Sequence, residues 1–576
     1  MIPSQPAGEP ATRQSVPISS ALDGVTREPI AARLDAVGMA LLVFPVGIVV
    51  FATMGFGLGF RLHPIVMLPA ALVAAAAIRV LSRTLQEAVV TGLVAVLLHG
   101  AAYAVASLSF DPSYDGLWYH QEAILRLAAG WNPISEDPAL YGGRPPNSGL
   151  RWVLAYPKAG WIMAAPLFQM FGRIEPSKLF TLTLMGAVAC HSGAALIRLT
   201  TIRVSAALLL ALLIAANPVA IYQSVTFYVD GLLACGVTLL AGALFQYVVT
   251  RDRRTLVVAA ASGCLLINLK FTGAVYAALF LLAACVGMLR RHGSWSAVRF
   301  GTAGAAAYLV SMVVIGYAPY AANLVKHHSP FYPVATVAGV NQRIVSNNWP
   351  PNIVPLNRVS RFLAVNFAYA NGDYPPPETT GKLPGAVDRS ELGAWWKGDT
   401  RIGGLGPLYG ALLLLGAVVL LSWLALSPRD TLARACVGAV VVLVASVFIH
   451  SEGWWARYAP QAWLIPLAVV VMAVGSSRPS IRAMAGGLAV VALLNIVLLT
   501  GGVVRSQSQF RAATRASLAA MAAEAPVQVY LFRFLPLRQR LAEAGIPFQI
   551  EKDPPAASIE RHLIPSADSV AAFWWK

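Results

Sequence analysis

Long apolar runs follow one another through most of this chain. Between residues 37 and 504, windows of about 20 mostly apolar residues recur, each long enough to cross a bilayer. Hydrophobic residues make up 57% of the 576 residues and charged residues only 12%, whereas a soluble domain has about 25% charged residues. No soluble fold needs so many such runs, so the sequence predicts an all-α polytopic membrane protein.

We predict thirteen membrane spans from these runs and from the basic turns between them. They are 37–59, 65–81, 86–107, 179–198, 204–222, 229–249, 255–269, 272–289, 297–318, 405–427, 433–450, 458–475 and 483–504. The run Trp152–Phe171 is also long enough to span. Its start at YPKAG and its polar residues fit a re-entrant or interfacial helix equally well, so it is not counted.

Basic residues give the predicted orientation. Arg13, Arg27 and Arg33 precede the first span, which predicts a cytoplasmic N-terminal tail at 1–36. No apolar segment typical of a signal peptide begins the sequence. The membrane domain then covers 37–504, with outer loops at 108–178 and 319–404. The second loop is too long for a simple connection, so we expect it to be functional or to form a partly ordered lid.

The C-terminal tail has a different composition. PVQVYLFRF reads as a strand, LPLRQRLAEAGI as a helix that ends at Gly545, and PFQIEK as a second strand. We therefore expect 505–576 to form a small soluble α/β appendage outside the membrane. These features together predict a multi-pass protein of the cell membrane, of the bacterial inner-membrane type.

Charge and cysteine content exclude several functions. The formal charge is +17, but the bases lie mostly in short connections between apolar runs, as expected for a membrane protein rather than a nucleic-acid-binding protein. The five cysteines lie far apart in apolar runs, so neither a disulfide nor a structural zinc is expected. No clear pair of acidic metal ligands occurs; a divalent metal stays open, and no residue is assigned to one.

Polar residues that need an explanation gather at the predicted outer ends of spans. Asp115 and His120 stand in DGLWYH, Asp230 in TFYVDGLL and Lys270 in NLKFTG, while Arg457 and Tyr458 follow in the last outer turn. A carboxylate beside a membrane is costly unless it is paired, hydrated or functional. Such a set suits a lipid-phosphate substrate. Lys270 and Arg457 would neutralise the phosphate, and Asp115 would be the base for an incoming hydroxyl.

Each of these residues also has a structural interpretation. Asp115 could simply open an amphipathic helix, and His120 could pack at the membrane interface. Asp230 could cap its helix, Lys270 could extend its amine to the interface, and Arg457 could be an interface anchor. Asp111 is better explained as a helix cap than as a catalytic group. All of these residues lie on the same predicted outer side of the membrane, and this shared location favours the functional interpretation.

These motifs resemble those of one family. The segment YDGLWYHQEAILRLAAGWNP is followed by YPKAGWIMAAPLFQMFG, TFYVDGLLACGVTLL, NLKFTGAVYAALF, YAPYAANLVKHHSPFYP and ARYAPQAWLIP. In this order they resemble landmarks of the GT-C superfamily of integral-membrane glycosyltransferases, which includes protein O-mannosyltransferases and lipid A aminoarabinose transferases.

The resemblance covers about residues 100–470 and implies a GT-C-like bundle with an outward-facing active site. It implies a polyprenyl-phosphate-linked sugar donor, a lipid, glycan or protein acceptor, and inversion at the anomeric carbon. Asp115 takes the position of the catalytic base, and Lys270 and Arg457 lie near the donor phosphate. His120, Tyr156, Lys158, Asp230 and Tyr458 are then further substrate-binding residues. Two features depart from the family: three spans precede the first loop here instead of one, and no DE or DxD pair occurs.

Three functions compete. The first is a transferase that moves a sugar from a lipid-phosphate donor to an acceptor. The second is a transporter or flippase for a lipid-linked sugar, which should place ionisable residues near the bilayer midplane and show related halves. The third is a scaffold protein of envelope assembly, which would tolerate loss of Asp115. The ionisable residues lie at span ends and no related halves are visible, so the transferase is favoured.

Overall fold

The computed structural model describes residues 18–141, 149–336, 339–340, 349–556, 558–566 and 572–576, and the side chains of residues 18–26 are not described. The first 17 residues of the predicted N-terminal tail therefore lie outside the described residues. So do 142–148 in the first predicted outer loop and 337–338 and 341–348 in the second.

The described chain is mainly helical and contains little sheet. Ten of its helices are long and apolar enough to cross a membrane: Arg27–Gly57, Pro64–Leu81, Leu85–Ser107, Glu175–Leu199, Asp230–Thr250, Phe271–His292, Ser294–Ile315, Tyr409–Leu426, Thr431–Phe448 and Pro479–Glu524. The length and composition of these helices confirm the prediction of a polytopic α-helical membrane protein.

The other three predicted spans contain shorter helices, namely Val204–Ala215, Arg253–Leu269 and Pro460–Ala473. A helix of 12 residues such as Val204–Ala215 covers about 18 Å, less than the ~30 Å hydrocarbon core. The number of thirteen crossings therefore stays a prediction. The uncounted run within the first predicted outer loop lies in two helices, Gly149–Ala155 and Ala159–Phe171, with a break at Tyr156–Lys158.

Two helices extend well beyond their predicted spans. The first described helix runs over Ile18–Gly57, so it begins far before residue 37. The last long helix, Pro479–Glu524, has 46 residues and a length of about 69 Å, more than twice the hydrocarbon thickness. It continues without a break past the predicted end at 504 and leads directly into the C-terminal sheet.

Two large apolar cores lie inside the described part of the bundle. The first is built around Ile18–Gly57, Phe180–Leu199, Asp230–Thr250 and the helices that follow it. The second joins Tyr409–Leu426 and Thr431–Phe448 to the N-terminal half of Pro479–Glu524. By contrast, Ser294–Ile315 has an apolar stretch of which only 6% is buried inside the protein. Such exposure of apolar side chains is stable against lipid chains and costly in water.

The C-terminal residues form a four-stranded sheet. Its strand order is Phe548–Ile550, Val527–Tyr530, Phe573–Trp575, His562–Leu563, with the first pair parallel and the others antiparallel. Helix Leu537–Glu543 lies between the first two strands in sequence, and Gly545 follows it in the left-handed region at a φ of 68°. The core beneath the sheet includes Leu117, so this unit packs against the first loop.

The insertion at 319–404 also has ordered structure where it is described. It contains helices Ala322–His327 and Arg358–Asn366 and two short paired strands, Ala335–Thr336 and Gly339–Val340. Near its end, the carboxylate of Glu391 is fully buried and pairs with Lys382 at 2.5 Å. This packing fixes the segment that follows, which enters the candidate site.

Candidate active site

Arg457 lies at the centre of an ionic cluster. Its Nη2 is 3.1 Å from Asp115 Oδ2, its Nε is 2.9 Å from Asp230 Oδ2, and its Nη1 is 3.1 Å from Asp399 Oδ1. Each nitrogen of the planar guanidinium group therefore faces a different carboxylate, an arrangement that lysine cannot reproduce. The three acidic residues come from three distant segments, so only the tertiary fold brings them together.

Asp230 is the most buried carboxylate of this cluster. Its side chain is 0% exposed, and it pairs with Lys270 as well as with Arg457. Gln223 donates from Nε2 to Asp230 Oδ2 at 3.2 Å. Asp230 begins the helix Asp230–Thr250, where the helix dipole also favours a negative charge. Lys270 lies in extended backbone between two helices, which lets its side chain reach Asp230.

The sequence analysis missed two members of the cluster. Asp399 and Arg401 come from the end of the 319–404 insertion, and Arg401 Nη2 lies 3.0 Å from Asp399 Oδ2. Gly398, just before them, adopts a φ of +77° and accepts a hydrogen bond from Gln223 at its carbonyl oxygen. The sequence WWKGDTR could have marked Asp399 and Arg401 as candidates, because its charged and glycine residues stand directly before the apolar run at 405.

Aromatic rings line the cations. Arg457 Cζ is 4.3 Å from the ring centroid of Tyr228 and 5.3 Å from that of Trp455, while Lys270 Nζ is 4.0 Å from that of Tyr458. Cation–π contacts hold a positive charge where water is scarce. Tyr228 stands in the quoted TFYVDGLL motif, but nothing in its spacing marked it as a neighbour of Arg457.

Asp115 is the most accessible carboxylate of the three. Its side chain is 20% exposed, compared with 13% for Asp399 and 0% for Asp230. Burial raises the pKa of Asp115, Arg457 opposes this rise, and the nearby carboxylates of Asp399 and Asp230 add to it. A carboxylate that is partly accessible and has a raised pKa is suited to accept a proton.

A wide helical turn presents Asp115 to the cluster. Residues Gly116–His120 form a π-helical turn directly after Asp115, a local geometry often found at functional sites. A Cβ at Gly116 would lie 2.0 Å from Asp111 Oδ2 and 2.2 Å from Ser113 Oγ. Only glycine fits there. The buried side chain of Asp111 in turn accepts a hydrogen bond from the Ser113 amide at 2.8 Å, so Asp111 shapes the turn.

The remaining predicted residues lie at different distances from the cluster. His120 accepts a hydrogen bond from Trp161 Nε1 at Nδ1 over 2.7 Å, and burial lowers its pKa to about 3, so it is a neutral group at neutral pH. Its ring centroid is 6.2 Å from that of Tyr228. Tyr156 is buried against His120 and Phe271. Both rings border the cluster rather than belong to it.

Lys158 is placed differently. Its Nζ donates to the carbonyl oxygens of Leu154 and Tyr156 at 2.8 and 2.9 Å. These contacts satisfy carbonyl groups at the end of helix Gly149–Ala155, a common role for lysine there. Burial also lowers the pKa of Lys158 to about 7. These contacts give Lys158 a structural role, and its predicted contact with substrate stays a prediction.

A fourth acid borders the cations. Glu452 is 2% exposed and accepts a hydrogen bond from Trp349 Nε1 at 2.7 Å. Burial raises the pKa of Glu452 to about 7, although Lys270, Arg457 and Arg401 oppose the rise. Two buried donors nearby, Trp455 Nε1 and the Tyr222 hydroxyl, have no hydrogen-bond partner among the described residues. Unpaired buried donors of this kind are costly and call for an explanation.

Within the described part of the chain, no group of three or more His, Cys, Asp or Glu side chains is arranged to hold a metal ion. Asp115, Asp230 and Asp399 are each paired with a cation. Three carboxylates and three cations make the cluster formally neutral when Glu452 carries its proton.

No protein-family model matches the chain, and no curated protein matches its sequence. The fold defines its class as a multi-pass α-helical membrane protein, and any function must be argued from the cluster itself.

Proposed function

We propose that this protein is a membrane glycosyltransferase that moves a sugar from a polyprenyl-phosphate donor to a hydroxyl acceptor with inversion. The observation that carries the proposal is the meeting of Asp115, Asp230, Lys270 and Arg457 in one partly accessible cluster. The sequence predicts all four as candidate site residues. They combine the cations that a phosphate requires with a carboxylate that can take a proton.

The proposed reaction needs one base and one anion-binding site. The acceptor oxygen attacks the anomeric carbon while the bond from that carbon to the phosphate oxygen breaks. The electrons of that bond leave with the polyprenyl phosphate, and the acceptor proton passes to Asp115. Because phosphate is already a good leaving group, no carboxylic acid has to protonate it, unlike the leaving group in a glycosidase.

Donor binding would activate the base. Arg457 and Lys270 are already paired with carboxylates, so a phosphate must compete for them. When the phosphate takes the guanidinium group of Arg457, Asp115 loses the cation that opposes its raised pKa. The proton affinity of Asp115 then increases only when the donor is present. The unpaired donors of Trp455 and Tyr222 suit hydroxyl groups of the sugar.

The outward orientation is also part of the proposal. The basic turns around residues 251–254 and 290–292 support an inside location for the ends opposite the cluster. Reporter fusions after residues 252, 380 and 520 should read inside, outside and outside. An inside signal at 380 would place the cluster in the cytoplasm and exclude an outer acceptor.

Transfer activity tests the chemical proposal. The purified protein is reconstituted with a labelled polyprenyl-phosphate sugar and membrane extract as acceptor, and Asp115→Asn is compared with wild type. Removing the base should reduce transfer at least ~10²-fold, while donor binding and thermal stability persist. The product should have the inverted anomeric configuration.

Asp373→Asn is the matched control, because Asp373 belongs to the same insertion as Asp399 and its side chain is 73% exposed with one distant ion pair, 3.9 Å from Lys397. It should transfer like wild type. Near-normal turnover in Asp115→Asn would refute the assignment and favour the transporter or the scaffold function.

A further inference from the structure

A large apolar cavity lies in the half of the bundle away from the active site. Its volume is about 710 Å³, within the range of ligand-binding pockets. Among its lining are the second halves of Asp230–Thr250 and Phe271–His292, whose first residues lie at the ionic cluster, together with Thr431–Phe448 and the end of Pro460–Ala473. The cavity is therefore separate from the proposed donor phosphate site.

The cavity opens sideways through the apolar surface. Leu199, Phe245 and Val286 line it and are 41%, 46% and 41% exposed. Two glycines, Gly242 and Gly438, also line it, and a Cβ at either would meet no atom within 4 Å. An opening with apolar edges and bare backbone admits a hydrocarbon chain directly from the bilayer.

The polar end of the cavity carries positive charge. Arg254 and Arg290 line this end and are exposed, and within the described part of the chain neither guanidinium group forms a hydrogen bond or an ion pair. The carboxylates nearby are already engaged. Asp35 pairs with Arg198 and His191, and Asp252 caps a helix by accepting from the Arg254 amide at 3.0 Å.

We propose that this cavity holds one acyl chain of an anionic phospholipid whose phosphate lies against Arg254 and Arg290. The apolar lining accommodates the chain, and the two unpaired arginines complement the charge of the headgroup. The site lies at helix ends rich in basic residues, where anionic lipids of the cytoplasmic leaflet would meet it. This inference does not depend on the proposed transfer reaction.

Native mass spectrometry of the detergent-purified full chain tests it, with phosphatidylglycerol or phosphatidylcholine of the same acyl chains added. The wild type should retain one phosphatidylglycerol molecule under conditions that strip phosphatidylcholine. Gly242→Phe should fill the cavity and lose this molecule. Arg254→Gln combined with Arg290→Gln should lose the preference for the anionic lipid by roughly tenfold or more, and the corresponding lysine pair should restore it.

Gly486→Phe is the matched control, because Gly486 is an exposed helical glycine outside the cavity, and a Cβ added there would also meet no atom within 4 Å. It should retain the lipid like wild type. If Gly242→Phe does not fold, Gly438→Leu fills the cavity from a different helix. Equal retention of both lipids by wild type would refute the proposal. So would undiminished retention in the folded cavity-filling variants, or preferential retention of an added polyprenyl phosphate.

Discussion

Two ionic clusters contact the segment 111–122, and they differ in accessibility. The site cluster contains Asp115, Asp230, Lys270, Asp399, Arg401 and Arg457. The support cluster contains Asp111, Glu175, Lys178 and Arg540, all at most 5% exposed. Two partly exposed carboxylates, Asp115 at 20% and Asp399 at 13%, distinguish the first cluster from the second. A substrate can reach only the cluster that keeps part of a charged group exposed.

The support cluster joins the C-terminal unit to the membrane bundle. Arg540 Nη2 donates to the Asp111 carbonyl oxygen and to Glu175 Oε1, both at 3.0 Å, while Glu175 Oε2 accepts from the Asp111 amide at 3.0 Å. Burial and the neighbouring Glu175 raise the pKa of Asp111 to about 6. Leu117 inserts into the C-terminal core. The C-terminal unit thus holds the turn that carries Asp115, and the charges of the support cluster serve to position that turn.

The largest effect on stability is expected from Glu175→Gln. Breaking a buried ion pair leaves uncompensated charges on Lys178 and Arg540, which should cost about 3–5 kcal/mol of unfolding free energy. Thermal unfolding in detergent measures this loss. Transfer per folded molecule should change little. The pair Asp373–Lys397, in which Asp373 is 73% exposed, is the comparison, and Asp373→Asn should cost at most about 1 kcal/mol. A loss of turnover in Glu175→Gln without a loss of stability would contradict a supporting role.

A matched pair of arginine substitutions distinguishes the roles of the two clusters. Arg457→Lys keeps the charge but loses contacts to at least one carboxylate and to a bidentate phosphate. Transfer should fall by roughly 10- to 100-fold, as expected for the loss of 1.5–3 kcal/mol from a charge-assisted hydrogen bond. Arg540→Lys should lower the unfolding temperature and leave turnover per folded molecule intact. Equal loss of turnover in both variants would remove the distinction between the clusters.

Lys270→Ala tests whether the site cluster binds the donor phosphate. Lys270 contacts Asp230 and the Tyr458 ring, and we propose that it also binds the donor phosphate. Its loss should weaken apparent donor affinity by about 1.5–3 kcal/mol. Acceptor affinity should change less. Steady-state kinetics with each substrate varied in turn measures the difference. Unchanged donor affinity would assign Lys270 to the support of Asp230 alone.

The smallest expected effect is on the pH dependence of stability. Burial raises the pKa of Glu452 from 4.5 to about 7, so between these values the folded state binds a proton that the unfolded chain has released. This contribution to stability is lost as the pH rises through about 7. Between pH 6 and 8 the loss is about 1 kcal/mol. Glu452→Gln should remove it, seen as a flatter profile of unfolding temperature; an unchanged profile would show that Glu452 is already ionised.

The sequence predicted what depends on local pattern. Apolar runs of sufficient length identified the long helices, and the position of Asp230, Lys270 and Arg457 at run ends marked them as residues that need a partner. The partners themselves were not predictable. Asp399 reaches Arg457 only because the 319–404 insertion folds back over the bundle. Loop paths follow from tertiary packing, which has no periodic signature in the sequence.

The same limit applies to the C-terminal unit. Its alternating and helical patterns predicted the strands near 527 and 548 and the helix before Gly545. That Leu117 would lie in its core was not visible, because a leucine beside a membrane segment reads as lipid-facing. The full length of Pro479–Glu524 was also missed, because a polar sequence after 504 ends a hydrophobic run without ending a helix.

A structure of the protein bound to a non-reactive donor lipid would show whether the site cluster holds the donor. We expect the donor phosphate within hydrogen-bonding distance of both Lys270 and Arg457, with Asp115 released from Arg457 and facing the anomeric carbon from the side opposite the phosphate. The support cluster of Asp111, Glu175, Lys178 and Arg540 should be unchanged. A phosphate bound elsewhere, with the Arg457–Asp115 pair intact, would contradict the assignment of this cluster as the active site.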